Sequence, residues 1–172
     1  MSEINEIVNE SKLKKEILWV VHAFNHENDF TFCLIGISFL EACLKDFLLK
    51  KFIKSSVSEA LLDHNGALGS ASAKAQLAYT MQYIDKNEYQ DIKKLLEIRN
   101  EFAHVHIQRD FGYKGIENKC NELHLSSLLP SDQMNENTKE VIDRLLKSHK
   151  LRFSMSVVAI CNKLLYENNN NA

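Results

Sequence analysis

The run FTFCLIGISFLEACLKDFLLKKFI, residues 30–53, limits the fold more than any other stretch of the chain. It is long enough to cross a bilayer as a helix. Glu41, Lys45 and Asp46 fall inside it, however, and a charge near the middle of a membrane helix costs about 2.5–3.5 kcal/mol. The run therefore reads as a helix of a soluble protein, from near Asp29 to about Lys54. Being apolar on most sides, it must be surrounded by other helices. The chain has one proline and five glycines, and these are the residues that break helices most strongly. The expected fold is all-α, a single-domain helical bundle of about six to seven helices with no membrane span.

The rest of the chain supplies the surrounding helices. Ile4, Ile7 and Val8, then Ile17, Leu18 and Val21, are spaced for a first helix over about 3–24. Ser56-x-x-Glu59 has the form of a capping box and opens a short helix to about Asp63. HNGALGSAS, residues 64–72, is the clearest loop, with Gly66 and Gly69 permitting backbone angles that other residues avoid. A helix carrying Leu77, Ala78, Met81 and Ile84 follows, and a second capping box, Asp85-x-x-Glu88, starts the next. RDFGYKG, residues 109–115, breaks the chain. A short helix is expected at 117–127, a linker around Pro130, and a last helix over about 138–166. Phe30, Phe32, Phe39, Phe47 and Phe52 are expected in the core, and Tyr79, Tyr83 and Tyr89 half-buried. Residues 1–166 then form one domain, and the polar tail 167–172 is expected to be disordered.

A net charge of −2 argues against a protein whose main task is to hold phosphate backbones. The one basic run, Arg144, Lys147, His149, Lys150 and Arg152, reads as a solvated helix face. One bundle uses the whole chain and leaves no helix-turn-helix, so direct DNA binding is doubtful. Cys33, Cys43, Cys120 and Cys161 are scattered and read as buried thiols of a reducing compartment. The start, MSEINEIVNESKLKKE, lacks the apolar segment of a secretory signal, and the expected location is the cytoplasm. His22 and His26 stand one helical turn apart without a third ligand at a fitting spacing, so no metal site is expected. The 64–72 loop lacks the lysine and spacing of a phosphate-binding loop, and no cofactor is expected.

LLEIRNEFAHVH, residues 95–106, concentrates the chemistry. At about 100° per residue, Ile92, Leu95, Leu96, Phe102 and Ala103 share one side of a helix and Arg99 falls near the middle of their stripe. A guanidinium there must be paired, and Glu41 is the expected partner, forming a polar brace between two helices. Asn100 and His104 lie on one flank, and with His106 they form a candidate binding rim. Arg99 and His104 are roughly 140° apart on an ideal helix, so they converge only if the helix frays near Ala103 or a second subunit completes the site.

Arg99-Asn100-Glu101-Phe102-Ala103-His104 resembles the R-x4-6-H motif of HEPN domains, which are helical bundles. That resemblance implies a metal-independent RNase, usually dimeric, using Arg99, Asn100 and His104. A histidine can move the proton of a 2′-hydroxyl, and an arginine can steady the charge growing on the phosphate.

A longer stretch, LLDHNGALGSASAKAQLAYTMQYIDKNEYQDIKKLLEIRNEFAH, residues 61–104, resembles the core signature of the mannitol operon repressor family, with FLEACLKDFLL before it and ELHLSSLLP after it. The similarity extends over about residues 15–165. Ala67 stands where that family usually has proline, Lys74 where arginine is common, and Gln82 where glycine often sits. The resemblance implies an all-helical cytoplasmic regulator of a sugar-transport operon.

Three function classes follow. The first is a non-enzymatic regulator acting through a protein partner. The second is an immunity protein, or antitoxin, that masks a basic nuclease toxin by charge complementarity. The third is an RNase of HEPN type. Self-association into a homodimer is compatible with each.

Overall fold

The computed structural model describes residues 22, 26–104, 109–124 and 147–166. These form six helices and no strand: α1 (Asp29–Lys51), α2 (Ser56–Leu62), α3 (Ala71–Thr80), α4 (Lys86–Phe102), α5 (Lys114–Asn121) and α6 (His149–Tyr166). Helix α1 is central and packs against α2, α3, α4 and α6, while α4 also meets α3, α5 and α6. Phe32, Leu40, Leu44, Phe47 and Leu48 of α1 are wholly buried, as are Ile92 and Leu95 of α4 and Phe153 and Val157 of α6. Helix α6 approaches α1 at Gly36, where an added Cβ would come within 3.0 Å of the Phe153 ring. No described helix is long and apolar enough to cross a membrane. The helix expected over 3–24, the linker around Pro130, the start of the last helix and the tail 167–172 lie outside the described residues.

The helix ends follow local chemistry, with some departures from the expected boundaries. Asn28 caps α1 by accepting a bond from Thr31 N at 2.9 Å. The helix stops at Lys51 rather than Lys54, because Phe52 is extended and Ser58 Oγ donates to the Ile53 carbonyl at 2.8 Å, turning the chain into α2. The cap of α2 is Ser55, not Ser56: the Ser55 hydroxyl accepts from Ser58 N. The box at Asp85 and Glu88 forms in both directions, at 2.9 and 2.7 Å.

Helix α3 is shorter than Met81 and Ile84 suggested. Its end is a Schellman turn, in which Tyr83 N donates to Ala78 O and Gln82 N to Tyr79 O, both at 2.9 Å. Gln82 occupies the left-handed position of that turn, with φ 60°. Met81 is left 52% exposed.

Helix α5 runs over 114–121 instead of 117–127. Its C-terminal end is closed by Arg152, whose Nε donates to Cys120 O at 2.9 Å and whose Nη2 donates to Asn121 O and Leu123 O. Phe30 does not join the core. It lies in the first turn of α1 and is 43% exposed, whereas Phe32 and Phe47 are buried and Phe39 and Phe52 pack partly against the core. All four cysteines are free and buried. Burial pushes the Cys120 thiol up to about 12 and the Cys33 thiol higher still.

Candidate functional site

A cleft of about 410 Å³ opens between α1, the turn before α3, the first turn of α3 and the outer side of α4. The turn is held by Leu68 N donating to Leu61 O and Gly69 N donating to Gly66 O, both at 2.9 Å. Its glycines serve space rather than unusual backbone angles, since no glycine has positive φ among the described residues. A Cβ on Gly66 would stand 2.2 Å from Ala60 O, and one on Gly69 2.3 Å from His64 O. Ser70 then caps α3, its hydroxyl accepting from Ala73 N at 3.1 Å.

The expected brace between Glu41 and Arg99 is replaced by another pair. Lys74 Nζ lies 3.3 Å from Glu41 Oε1 and donates to Gly69 O at 2.5 Å, with 2% of the lysine side chain exposed. Ala71, Lys74, Ala75 and Ala78 form the buried stripe of α3. Small residues on that stripe let α3 come close to α1, and the flexible lysine stem carries its charge to Glu41 through them. In the sequence Lys74 stands out only as a departure from the arginine common in the resembling family; a lysine at helical spacing among alanines is the signal that could have found it.

Arg99 is partly buried and lines the cleft together with Glu41, Lys93, Glu97 and Asn100. Its Nε is shut off from solvent and has no hydrogen-bond partner. Asn100 is exposed on the cleft rim. His104 is not there. Helix α4 ends at Phe102, Ala103 keeps helical angles (φ −72°, ψ −6°), and His104 follows as an exposed residue that does not line the cleft. The arginine and histidine of the R-x4-H pattern therefore stay apart within the described chain. His106 lies outside the described residues.

Glu101, inside the same motif, belongs to a different cluster. It pairs with Arg109 and with Lys119, the latter at 3.0 Å, and Arg109 also stacks on the Tyr113 ring at 4.3 Å. The hydrogen bond from Lys119 holds the Glu101 carboxyl below its ordinary value. These contacts fasten the chain after α4 to α5, and no spacing rule in the sequence pointed to them.

The basic run on the last helix is largely engaged within the fold, not simply solvated. Lys150 pairs with Asp29 at 3.1 Å and lies over the Phe32 ring, His149 stands 3.6 Å from Glu117, and Arg152 caps α5. Lys147 is exposed, and Arg144 is outside the described residues. The His22 and His26 rings are 4.3 Å apart. Among the described residues no group of three histidine, cysteine or acidic side chains is placed to hold a metal. Tyr79 stacks on Tyr89 at 4.9 Å, and Lys93 lies over Tyr89 at 5.9 Å.

A family model, MtlR, the mannitol repressor, matches residues 19–165. The chain is 29% identical over 105 residues to the mannitol operon repressors of Escherichia coli strains K12 and CFT073, covering 58% of this chain. The chain spans about half, 54%, of the length of those curated relatives. The X-ray structure of the MtlR–HPr complex from Escherichia coli matches in fold with a TM-score of 0.65 at 23% identity, covering 87% of this chain and 98% of the matched one.

Proposed function

The chain belongs to the mannitol repressor family, and from that premise we propose that it is a non-enzymatic regulator of a sugar-transport operon, acting through contact with a protein partner. The observation that carries this reading is the separation of Arg99 from His104. One faces the cleft and the other sits past the end of α4 in the open, so within one chain a proton-moving histidine and a phosphate-steadying arginine do not line the same cleft. The engagement of His149, Lys150 and Arg152 within the fold supports it further, because these side chains are spent on Glu117, Asp29 and the carbonyls after α5. The fold relative was crystallised with HPr, and a partner of that kind is the one to try first. On this reading the protein works in the cytoplasm.

The test is reconstitution of the purified chain with the HPr protein of its own host. Calorimetry and gel filtration should give one defined complex, and the same columns read whether the free chain is a dimer. Deleting the gene should raise expression of the operon it controls. RNA cleaved by the wild type and left intact by a stably folded His104→Ala variant would instead establish the nuclease.

A further inference from the structure

The Arg99 cleft has the size and charge of a small-ligand site. Its volume of about 410 Å³ falls within the roughly 300–1,000 Å³ usual for such sites. Its two carboxylates are already matched, Glu41 by Lys74 and Glu97 by Lys94 at 3.3 Å each. Arg99 and Lys93 have no carboxylate partner among the described residues, so the cleft carries surplus positive charge. The Nε of Arg99 is buried and unsatisfied, so no acceptor of the fold is bonded to it, and the part of the side chain that lines the cleft is open to an incoming anion. Ile37 and Leu96, both buried, form part of the wall and lower the local dielectric, which strengthens any charge-assisted bond made there.

We propose that this cleft binds a small hydroxylated phosphomonoester, its phosphate on Arg99 and Lys93 and its hydroxyls on Asn100, Ser72 and the free edge of Glu97. A guanidinium fork and an ammonium suit a doubly charged phosphate better than a single carboxylate. Ser70, Ala71 and Ser72 also bring the first turn of α3 to the cleft wall, where its unpaired N–H groups add to the same field. The cleft is larger than a bare phosphate needs, and its remaining polar lining is complementary to hydroxyl groups. The inference stands apart from the protein-partner reading, since it concerns a small molecule.

The experiment uses the full chain and calorimetry with a hexose 6-phosphate, inorganic phosphate and the free hexose at matched ionic strength. Saturable binding of the hexose phosphate is expected, with inorganic phosphate about tenfold weaker and the free hexose silent. Arg99→Met should weaken binding by about tenfold or more while keeping its helical circular dichroism. Lys114→Gln, which removes an exposed cation of α5, should leave it unchanged. Should Arg99→Met fail to fold, exposed Lys93→Met replaces it, with the same loss expected. No saturable response to either phosphate, or the same affinity in wild type and the cleft variant, overturns the proposal. Equal affinity for hexose phosphate and inorganic phosphate overturns the hydroxyl contacts.

Discussion

Lys74 and Glu41 form an ion pair at 3.3 Å in which the two partners are unequally exposed: 2% of the lysine side chain and 41% of the glutamate meet solvent. The ammonium depends on its partners, because nothing else within the packed alanines of α3 can solvate it, whereas the carboxylate can fall back on water.

That asymmetry fixes the first prediction. Glu41→Ala should cost about 2–4 kcal/mol, because it leaves a buried ammonium with only the Gly69 carbonyl. Lys74→Met should cost about 1–2 kcal/mol, since Glu41 rehydrates and only that carbonyl loses its donor. Urea unfolding of the two variants checks the order, and a Lys74→Met protein weaker than Glu41→Ala would refute it.

Gln82 holds φ 60° at the end of α3, where an L side chain is strained and glycine is not. Gln82→Gly should stabilise the chain by about 0.5–1 kcal/mol, the relief of strain exceeding the extra entropy of the unfolded glycine. A rise in melting temperature is the readout, and a fall would mean the Gln82 side chain contributes a contact that outweighs the strain.

Asp91 is nearly buried and accepts from His124 N at 3.0 Å and 3.2 Å, while its Oδ1 lies 2.7 Å from His124 Nδ1. This carboxylate holds the backbone just after α5 against α4. Asp91→Ala should cost about 1.5–3 kcal/mol, as expected for loss of hydrogen bonds to a charged group. His124→Ala should cost less than half of that, because its backbone N–H still donates. Thermal unfolding of both variants, side by side, decides between a backbone clasp and a side-chain pair.

Glu101 gives the pH dependence. Its carboxyl is held below the ordinary value of 4.5, chiefly by the hydrogen bond from Lys119. The folded state thus binds this proton less readily than the unfolded state. The stabilisation is complete above pH 4.5 and is lost as the pH falls through the lower folded value. Glu101→Gln should therefore be less stable than wild type at neutral pH and approach it in acid. A difference that stays constant between pH 7 and 3 would show that Glu101 acts through packing alone.

Much of the fold was legible along the chain. The run 30–53 predicted a central helix and α1 is that helix. Asp85 and Glu88 announced the start of α4, and their reciprocal bonds involve only residues three apart. The family pattern even marked Gln82 as a departure from glycine, and the left-handed turn supplies the reason. Less was legible where neighbouring residues compete for one role. Ser55 and Ser56 are equally good caps by type, and the choice fell to Ser55 because Ser58 is drawn back to the Ile53 carbonyl.

By itself, then, the sequence determined the central helix, the capped start of α4 at Asp85 and the apolar surfaces these must bury, because those depend on periodicity and on bonds between near neighbours. It also located Arg99, Asn100 and His104 on one short segment. Only the tertiary structure decided that Glu41 takes Lys74, that Arg99 and Asn100 face a cleft, and that His104 is left outside it. Those outcomes depend on how far α1, α3 and α4 approach and how each is turned about its axis, and helical periodicity leaves both open.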